Sequence, residues 1–342
     1  MNSLLKLSAL IFLVVLLIVN WSSGTIASSK SDSAVVVVYH RFNEPAFESS
    51  NIRLEQFKAH ILELKKGQYN VRPLSEIIDS INSGKRLPDR TIGLSVDDAF
   101  RSFYDVAWPL LKAEKMPVTL FVSTDVVDRQ ASGYMTWDQI REVQNDGVTV
   151  GSQTKSHKHL PLLPIGDVKM EIDRANNRLA TELGIKPSLL AYPYGEYSSS
   201  VRQVIIDRGF DAAFTQSSGV ISSHLDRFAL PRFALNERYG GIDRFRLIVN
   251  ALPMMVTDVL PKDPFLSKNP PAFGFTVDPF IGSLKRLACF ASNQGKLSLE
   301  RLGRRVEVRL SSPFPVGRSR INCTMPGSKD RWRWFGVQFT VP

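Results

Sequence analysis

Hydrophobic and polar residues alternate along most of the chain in a pattern that predicts strands followed by helices. The run from Ala34 to Tyr39 is apolar and rich in β-branched residues, which is typical of a strand buried on both faces. From residue 54 to residue 64 the apolar positions recur at helical spacing, and Gly67 marks a stop. Six or more such strand–helix units in about 230 residues predict an α/β fold of the (β/α) barrel type, distorted or incomplete. An open doubly wound sheet is the alternative.

The pattern changes after Pro253. Residues 259–271 are rich in proline and predict a linker. Beyond them, short apolar segments separated by Gly, Ser and Pro predict a small all-β module. The sequence therefore predicts a barrel domain over residues 34–258 and a β module over residues 272–342.

The first residues have the pattern of a targeting segment. Lys6 is followed by no charged residue until Lys30, and residues 9–19 are all apolar. This run is short for a membrane span and suits a secretory signal. We predict that residues 1–28 are a signal peptide, with an uncleaved membrane anchor over residues 7–26 as the alternative. Either way the rest of the chain is expected in the periplasm, in the cell envelope or outside the cell.

The net charge of +10 is concentrated in the predicted module. Residues 262–342 contain 14 Lys or Arg and 5 Asp or Glu, which leaves only +1 for the first 261 residues. An exported protein rarely meets nucleic acid, so anionic cell-envelope polymers or lipid headgroups are the expected partners. A candidate surface for glycans or anionic polymers consists of Arg318, Arg320 and the segment from Arg331 to Phe335. Strand alternation favours instead buried Trp332 and Trp334 beneath solvated Arg331 and Arg333.

The chain contains two cysteines, Cys289 and Cys323, both in the predicted module. In an oxidising compartment they are candidates for a disulfide that closes this region. Two buried free thiols are the alternative, because the sequence does not give the distance between them.

Polar residues follow several of the predicted strands. Asp97 and Asp98 follow the strand that begins at Thr91, and two adjacent carboxylates there are costly unless one is neutralised. A metal ion with one Asp as ligand and the other as base explains the pair. A helix N-cap with an acidic first turn is the alternative.

Histidines occur at the same kind of position. Three of the five histidines, His40, His157 and His159, follow predicted strands, as does the segment from Tyr192 to Gly195. In a (β/α) barrel the carboxyl ends of the strands form the reactive face. Together with the carboxylate pair, these residues predict one site.

The polar segments resemble the motifs of a known family, the polysaccharide deacetylases with a NodB-like (chitooligosaccharide deacetylase) homology domain. Ser95-Val-Asp-Asp-Ala-Phe100 resembles their aspartate motif. Gly151–Leu160 resembles the histidine motif, and Ala191-Tyr-Pro-Tyr-Gly195 resembles the proline-tyrosine-glycine motif. Tyr39-His40 matches an early pair in the branch that acts on poly-N-acetylglucosamine. The resemblance covers about residues 35–235.

The resemblance implies metal-assisted hydrolysis of an N-acetyl amide on a sugar. The expected cofactor is a divalent metal, zinc in the first place and nickel, cobalt or manganese as alternatives. By position it implies Asp97 as general base, Asp98 and His157 as metal ligands, and the backbone N–H of Tyr194 as an oxyanion donor.

The motifs also imply substrate-binding residues. Tyr192 and Pro193 belong to the proline-tyrosine-glycine motif. Leu230-Pro231-Arg232 resembles the late motif that lines the acetyl pocket, which makes Arg232 the third expected substrate-binding residue.

Two positions depart from the family pattern. The first metal histidine falls on Gln153, whose amide oxygen is a weaker ligand than imidazole. His159 is the alternative ligand, although an exposed loop position without a ligand role is favoured for it. The histidine acid of the late motif is missing, so His40 and His224 are the candidates that protonate the leaving amine.

The sequence therefore predicts an exported, metal-dependent N-deacetylase of an N-acetylglucosamine-containing glycan. A non-catalytic glycan-binding relative, impaired at Gln153, is the alternative. Glycoside hydrolysis is disfavoured, because adjacent carboxylates do not flank a bond across the required gap of roughly 5 Å.

Overall fold

A computed structural model describes residues 30–342, so the predicted signal peptide or anchor lies outside the described residues. Within residues 30–342 no helix is both long enough and apolar enough to cross a membrane. The described chain forms an α/β barrel domain, against which a second domain made of β-strands packs.

The barrel domain alternates strands and helices, as the hydrophobic pattern predicts. Its strands are β1 (Lys30–Ser31), β2 (Ser33–Tyr39), β3 (Arg41–Phe42), β4 (Asn51–Ile52), β5 (Asn70–Val71), β6 (Leu87–Pro88), β7 (Thr91–Asp97), β8 (Thr119–Val122), β9 (Thr149–Ser152), β10 (Leu189–Ala191), β11 (Ala212–Phe214), β12 (Ile221–Ser222), β13 (Phe233–Ala234) and β14 (Leu252–Pro253). Its helices are α1 (Leu54–Leu64), α2 (Leu74–Asn82), α3 (Trp108–Ala113), α4 (Thr124–Asp128), α5 (Trp137–Asn145), α6 (Ile165–Leu183), α7 (Ser199–Asp207) and α8 (Ile242–Val249).

The central sheet is curled and runs in the order β11-β10-β9-β8-β7-β2-β12. Within this order, all neighbouring strands between β11 and β2 pair in parallel. At the outer edge of β2, β12 pairs antiparallel and β13 pairs parallel. A bridge between Phe214 and Leu230 links β11 to the segment that precedes β13. An irregular segment thus closes the sheet where a regular barrel has a strand, and the prediction of a distorted (β/α) barrel is confirmed.

Side chains alternate across β10, as the pleat of a strand requires. Leu189 and Ala191 join the inner apolar cluster, which includes Phe121 and Phe214. Leu190 and the following Tyr192 belong to the layer beneath α6 and α7. Tyr192 therefore faces the helix layer.

The second domain is a β sandwich. Its strands are β15 (Val256–Leu260), β16 (Phe273–Val277), β17 (Ala288–Ala291), β18 (Gly295–Lys296), β19 (Ser298–Leu302), β20 (Arg305–Arg309), β21 (Gly317–Pro326) and β22 (Trp332–Val341). Together with β14, they form a sheet in the order β14-β22-β21-β17-β18. A second sheet has the order β15-β16-β20-β19, and side chains from both sheets form one apolar cluster. Cys289 and Cys323 are paired across β17 and β21 and form a disulfide, the first of the two alternatives.

The domain boundary differs from the predicted linker. β15 pairs with β16 and belongs to the β domain, so residues 261–272 form a loop inside that domain. β14, still earlier in the chain, pairs with β22. The hydrophobic pattern does not reveal β15, because this edge strand is mostly exposed and its side chains do not alternate clearly.

The hairpin of β21 and β22 joins the two domains. Opposite residues of an antiparallel pair share a face, and on one face Ile321 and Phe339 enter the core of the β domain. On the other face, Trp334 packs edge-on against Phe233 of the barrel, with ring centroids 5.1 Å apart. A Cβ atom at Gly336 would overlap the carbonyl oxygen of Ser218, so the two backbones lie very close.

The prediction of buried tryptophans beneath solvated arginines is wrong for two residues. Arg331 is buried and donates to Asp89 at 2.8 Å and to the carbonyl of Asn250 at 2.6 Å. Trp332 is exposed. The alternation argument fails because Arg331 precedes β22 and packs against the barrel, which a local pattern does not show.

Candidate active site

Strand register brings the polar residues of several strand ends to one edge of the barrel. Tyr39 pairs with Val96, so the next residues, His40 and Asp97, are neighbours. Likewise, Gln153 follows the paired end of β9, and Tyr192 follows that of β10. All of these positions lie at the carboxyl ends of parallel strands, where the sequence predicts the site.

Asp97 forms a buried ion pair with Arg232. Arg232 Nη1 donates to Oδ1 at 2.7 Å and Nη2 donates to Oδ2 at 2.8 Å, and both side chains are 0% exposed. The guanidinium also lies 5.4 Å from the ring centroid of Phe121 and 5.8 Å from that of Phe214. Arg232 therefore forms the floor of the site inside the barrel, and its expected contact with substrate stays a prediction.

His40 lies above the ion pair. Its Nε2 is 4.0 Å from Asp97 Oδ2 and 3.4 Å from the amide nitrogen of Gln216, and its side chain is 17% exposed. His40 thus connects the buried carboxylate to the solvent-accessible part of the site.

Asp98 and His157 face each other. Asp98 Oδ1 is buried and accepts no hydrogen bond from a described residue, although His157 Nε2 lies 3.2 Å away. Burial raises the pKa of the Asp98 carboxyl, but His157, His40 and Gln153 outweigh burial and hold this pKa below its ordinary value. An anionic oxygen without a hydrogen bond beside an imidazole nitrogen is a pair of donors that suits a divalent cation.

Gln153 is buried behind this pair. Its Oε1 accepts a hydrogen bond from the backbone N–H of Asp98 at 2.9 Å, and its Nε2 faces His157 Nε2 at 3.3 Å. The amide oxygen therefore already accepts a hydrogen bond from the backbone. The amide nitrogen points at His157 and has no lone pair to offer to a cation.

The expected divalent metal fits two of the four predicted ligands. Asp98 Oδ1 has no hydrogen-bond partner among the described residues, whereas His157 Nε2 is faced by the amide N–H of Gln153. His159 lies elsewhere, with Nδ1 2.7 Å from Glu196 Oε2. In the part of the chain that the structure describes, no three His, Cys, Asp or Glu side chains are grouped to hold a metal ion.

Tyr194 lies at the centre of an aromatic group. The ring of His159 stacks on it at a centroid distance of 4.0 Å, and the ring of His157 meets it edge-on at 4.5 Å. Desolvation and the charge of Asp98 raise the pKa of the Tyr194 hydroxyl. Within residues 30–342 the backbone N–H of Tyr194 donates to no group outside its own turn, which leaves it to be offered to a ligand.

The neighbours of Tyr194 have structural roles. Tyr192 is fully buried, and its hydroxyl donates to the carbonyl of Phe228 at 2.9 Å. Pro193 is also buried. Gly195 has a φ of 71°, and a Cβ atom there would overlap the backbone nitrogen of Gln216. Tyr192 and Pro193 thus support the turn at Tyr194 from its buried side. Both are buried, and their expected contact with substrate stays a prediction.

Backbone strain is concentrated at the site. Asp98, Thr154, His157 and Tyr194 have φ angles of 74°, 69°, 55° and 58°, in the left-handed region that non-glycine residues rarely occupy. Each such residue costs of order 1–3 kcal/mol and persists only when its surroundings hold it. The polar groups of the site are therefore held in a fixed arrangement.

The two remaining histidines lie away from the site. His224 is exposed in a loop at the edge of a cavity of about 320 Å³ between the two domains. His60 is buried, with Nδ1 3.0 Å from the hydroxyl of Tyr39 and Nε2 2.8 Å from the carbonyl of Gly240. Of the two acid candidates, only His40 is near the carboxylates.

Sequence reasoning missed several residues that touch the site. Gln216 contacts His40, Glu196 contacts His159, and Gln338 of the β domain contacts Tyr194. Glu196 directly follows the proline-tyrosine-glycine motif, and this position is a local signal for a place at the site. Nothing in the local sequence signals Gln338, which is 144 positions from Tyr194.

A family model described as polysaccharide deacetylase matches residues 84–213. The chain is thus similar to polysaccharide deacetylases over a segment that is less than half of its length. The matched residues contain both aspartates, the histidine segment and Tyr194, whereas His40 and Arg232 lie outside them.

Two curated relatives resemble part of this chain. The poly-β-1,6-N-acetyl-D-glucosamine N-deacetylase of Escherichia coli K12 is 24% identical over 244 residues, which cover 58% of this chain and 36% of that protein. The match thus spans about a third of the length of that relative. The putative polysaccharide deacetylase YxkH of Bacillus subtilis is 20% identical, with 64% of this chain and 77% of that protein covered.

Two solved structures share the fold of about two thirds of this chain. IcaB from Ammonifex degensii is 24% identical with a TM-score of 0.57, and the match covers 64% of this chain and 98% of that one. The deacetylase PplD of Streptococcus pyogenes, solved with acetate, is 18% identical with a TM-score of 0.59 over the same shares. Almost the whole of each solved chain is matched by only about two thirds of this chain.

Proposed function

We propose that the protein is an exported hydrolase that removes N-acetyl groups from an N-acetylglucosamine-containing polysaccharide or oligosaccharide. The observation that carries the proposal is the meeting of Asp97, Asp98, His157, His40 and the free N–H of Tyr194 at one edge of a deacetylase domain. The name of the Escherichia coli relative supports a poly-N-acetylglucosamine substrate.

Asp98 and His157 are the residues that would hold a divalent metal, with zinc as the expected ion. Such a cation would polarise the acetyl carbonyl and lower the pKa of a water molecule beside it. Gln153 fixes the backbone of Asp98 by accepting its N–H. The amide nitrogen of Gln153 faces His157 Nε2 and would compete with the cation for that nitrogen.

Proton transfer is assigned to Asp97 and His40. Asp97 accepts the proton of the attacking water, and the two hydrogen bonds from Arg232 fix the direction of its lone pairs. His40, partly exposed and 4.0 Å from Asp97, gives a proton to the leaving amine. The backbone N–H of Tyr194 donates to the oxyanion of the tetrahedral intermediate.

The test of this function is acetate release. Protein lacking residues 1–28 is incubated with zinc and β-1,6-linked or β-1,4-linked N-acetylglucosamine oligomers, and acetate and free amines are measured. Equal amounts of both are the expected result, with faster release from the β-1,6-linked oligomers. The appearance of new reducing ends without acetate would contradict the proposal.

One observation favours a second candidate, a glycan-binding protein without catalysis. The oxygen of Gln153 is committed to the backbone, which leaves two metal donors where three were expected. Retention on an immobilised N-acetylglucosamine polymer, with no acetate released at saturating zinc, nickel, cobalt or manganese, would favour this candidate.

Export is part of the proposal. The apolar run of residues 9–19 supports a signal peptide or an anchor, and the disulfide of the β domain supports an oxidising compartment such as the periplasm or cell envelope. Binding of an anionic envelope polymer by the basic β domain stays a prediction, as does membrane attachment through an uncleaved leader. No nucleic-acid partner is proposed.

A further inference from the structure

The β domain holds the backbone of Tyr194. Gln338 Nε2, from β22, donates to the carbonyl oxygen of Tyr194 at 3.0 Å. Gln338 is itself buried, and its backbone N–H donates to Ser217 Oγ at 3.1 Å in the loop after β11. A side chain anchored in a long β-hairpin thus fixes the peptide unit that follows Tyr194.

Arg318, from β21, contacts the same residue. Its guanidinium carbon lies 5.3 Å from the ring centroid of Tyr194, and Nη1 is 3.5 Å from the carbonyl oxygen. Its Nε is 3.7 Å from Glu196, the buried carboxylate that binds His159. Arg318 therefore connects the β domain to the aromatic group around Tyr194.

Tyr194 needs such support for a physical reason. Its φ of 58° is disfavoured for a residue with a side chain and persists only when contacts hold it. The direction of its N–H, which the proposed function assigns to the oxyanion, depends on this turn. An oxyanion donor is effective only when it is held in place before the reaction, and loss of one donor typically lowers kcat by about 10²–10³.

The barrel supplies part of this support. Pro193 restricts the backbone before Tyr194, and Gly195 packs against Gln216. The carbonyl of Tyr194, however, is bound by side chains of the β domain. The solved relative IcaB is matched over 98% of its chain by 64% of this one, so support from a β domain is not implied by the similarity.

We propose that the β domain is a component of the catalytic site, in which Gln338 is a positioning residue that holds Tyr194 in its strained conformation and Arg318 assists it. The kinetic part of this inference rests on the proposed function. The domain is then more than a spacer. Its removal or displacement would loosen the turn at Tyr194.

The test uses Gln338→Leu in the full mature chain. Hydrogen–deuterium exchange of the amides in residues 192–197 is expected to accelerate at least about tenfold, because the turn loses its hydrogen bond. With N-acetylglucosamine oligomers, kcat is expected to fall by about 10- to 100-fold with little change in KM. Gln294→Leu is the matched control, since it removes another amide-to-carbonyl hydrogen bond of the β domain, to Ser312. It should change neither quantity.

The exchange measurement separates the two proposals. If the wild-type protein releases no acetate, the proposed function fails, but exchange at residues 192–197 still decides whether Gln338 holds the turn. Unchanged exchange and unchanged kcat in folded Gln338→Leu would overturn the inference. If that variant does not fold, Arg318→Gln, at an exposed position, takes its place, and unchanged exchange there overturns the inference equally.

Discussion

The guanidinium of Arg232 binds both carboxylate oxygens of Asp97 inside the barrel, and both side chains are buried. Arg232 comes from the irregular segment that closes the sheet between β11 and β2, and Asp97 ends β7. One ion pair therefore closes the barrel and orients the proposed general base. Removal of either partner leaves an uncompensated buried charge.

Arg232→Met is expected to lower the free energy of unfolding by about 3–5 kcal/mol, because Asp97 would remain charged without a partner. Urea unfolding followed by circular dichroism measures the change. Arg309→Gln is the control, since it breaks an ion pair with Glu300 on the surface and should leave stability nearly unchanged. Equal small effects of both substitutions would show that the buried pair is dispensable.

His40→Gln is expected to lower kcat for acetate release by about 10²–10⁴-fold without loss of folding, since it removes the proposed acid. The matched control is His224→Gln, which changes an exposed histidine far from the carboxylates and should retain full activity. Steady-state rates and melting temperatures of both variants provide the check. A fully active His40→Gln would transfer the acid role to another group.

Gln153→His is expected to tighten zinc binding by about tenfold or more, because an imidazole nitrogen replaces an N–H that points at His157. His159→Ala should change the affinity little, since His159 is bound to Glu196. Calorimetric titration with zinc measures both, independently of activity. The opposite ranking would identify His159 as a ligand.

Stability is expected to fall as the pH is lowered from about 6.5 to about 4, in part because of His60. Burial depresses the pKa of His60 to about 4, so the folded state excludes a proton that the unfolded state binds below pH 6.5. The contribution lost by pH 4 is about 3 kcal/mol. Urea unfolding at several pH values checks this, and His60→Gln should flatten the dependence while His224→Gln should retain it.

Cys289→Ala with Cys323→Ala is expected to lower stability by about 4 kcal/mol, since the disulfide joins residues 34 positions apart and restricts the unfolded chain. Wild-type protein with and without a thiol reductant should show the same difference in urea. A double variant that is insensitive to reductant but as stable as the wild type would contradict the prediction.

The sequence predicts the strand ends because local signals determine them. Apolar runs such as residues 34–39, followed by polar residues, are sufficient to place His40, Asp97 and Gln153 at one edge of a parallel sheet. The contacts that give these residues their roles join distant positions, however. Arg232 is 135 positions from Asp97, and no local pattern distinguishes an arginine that binds substrate from one that forms the floor.

The same limit explains the misplaced domain boundary and the missed support of Tyr194. β15 is an exposed edge strand without clear alternation, and Gln338 is one polar residue in an otherwise ordinary strand. Their importance arises only from the pairing of β15 with β16 and the packing of β22 against the barrel.

The disulfide between Cys289 and Cys323 has a consequence for when and where the protein works. Cys323 lies in β21, the strand that also carries Arg318 and pairs with the strand of Gln338. A newly made chain in a reducing cytoplasm would lack this link beneath the hairpin that fixes Tyr194. Under the proposed export, this link would form only after the chain reaches an oxidising compartment, so the support of Tyr194 by the β domain would be complete only there.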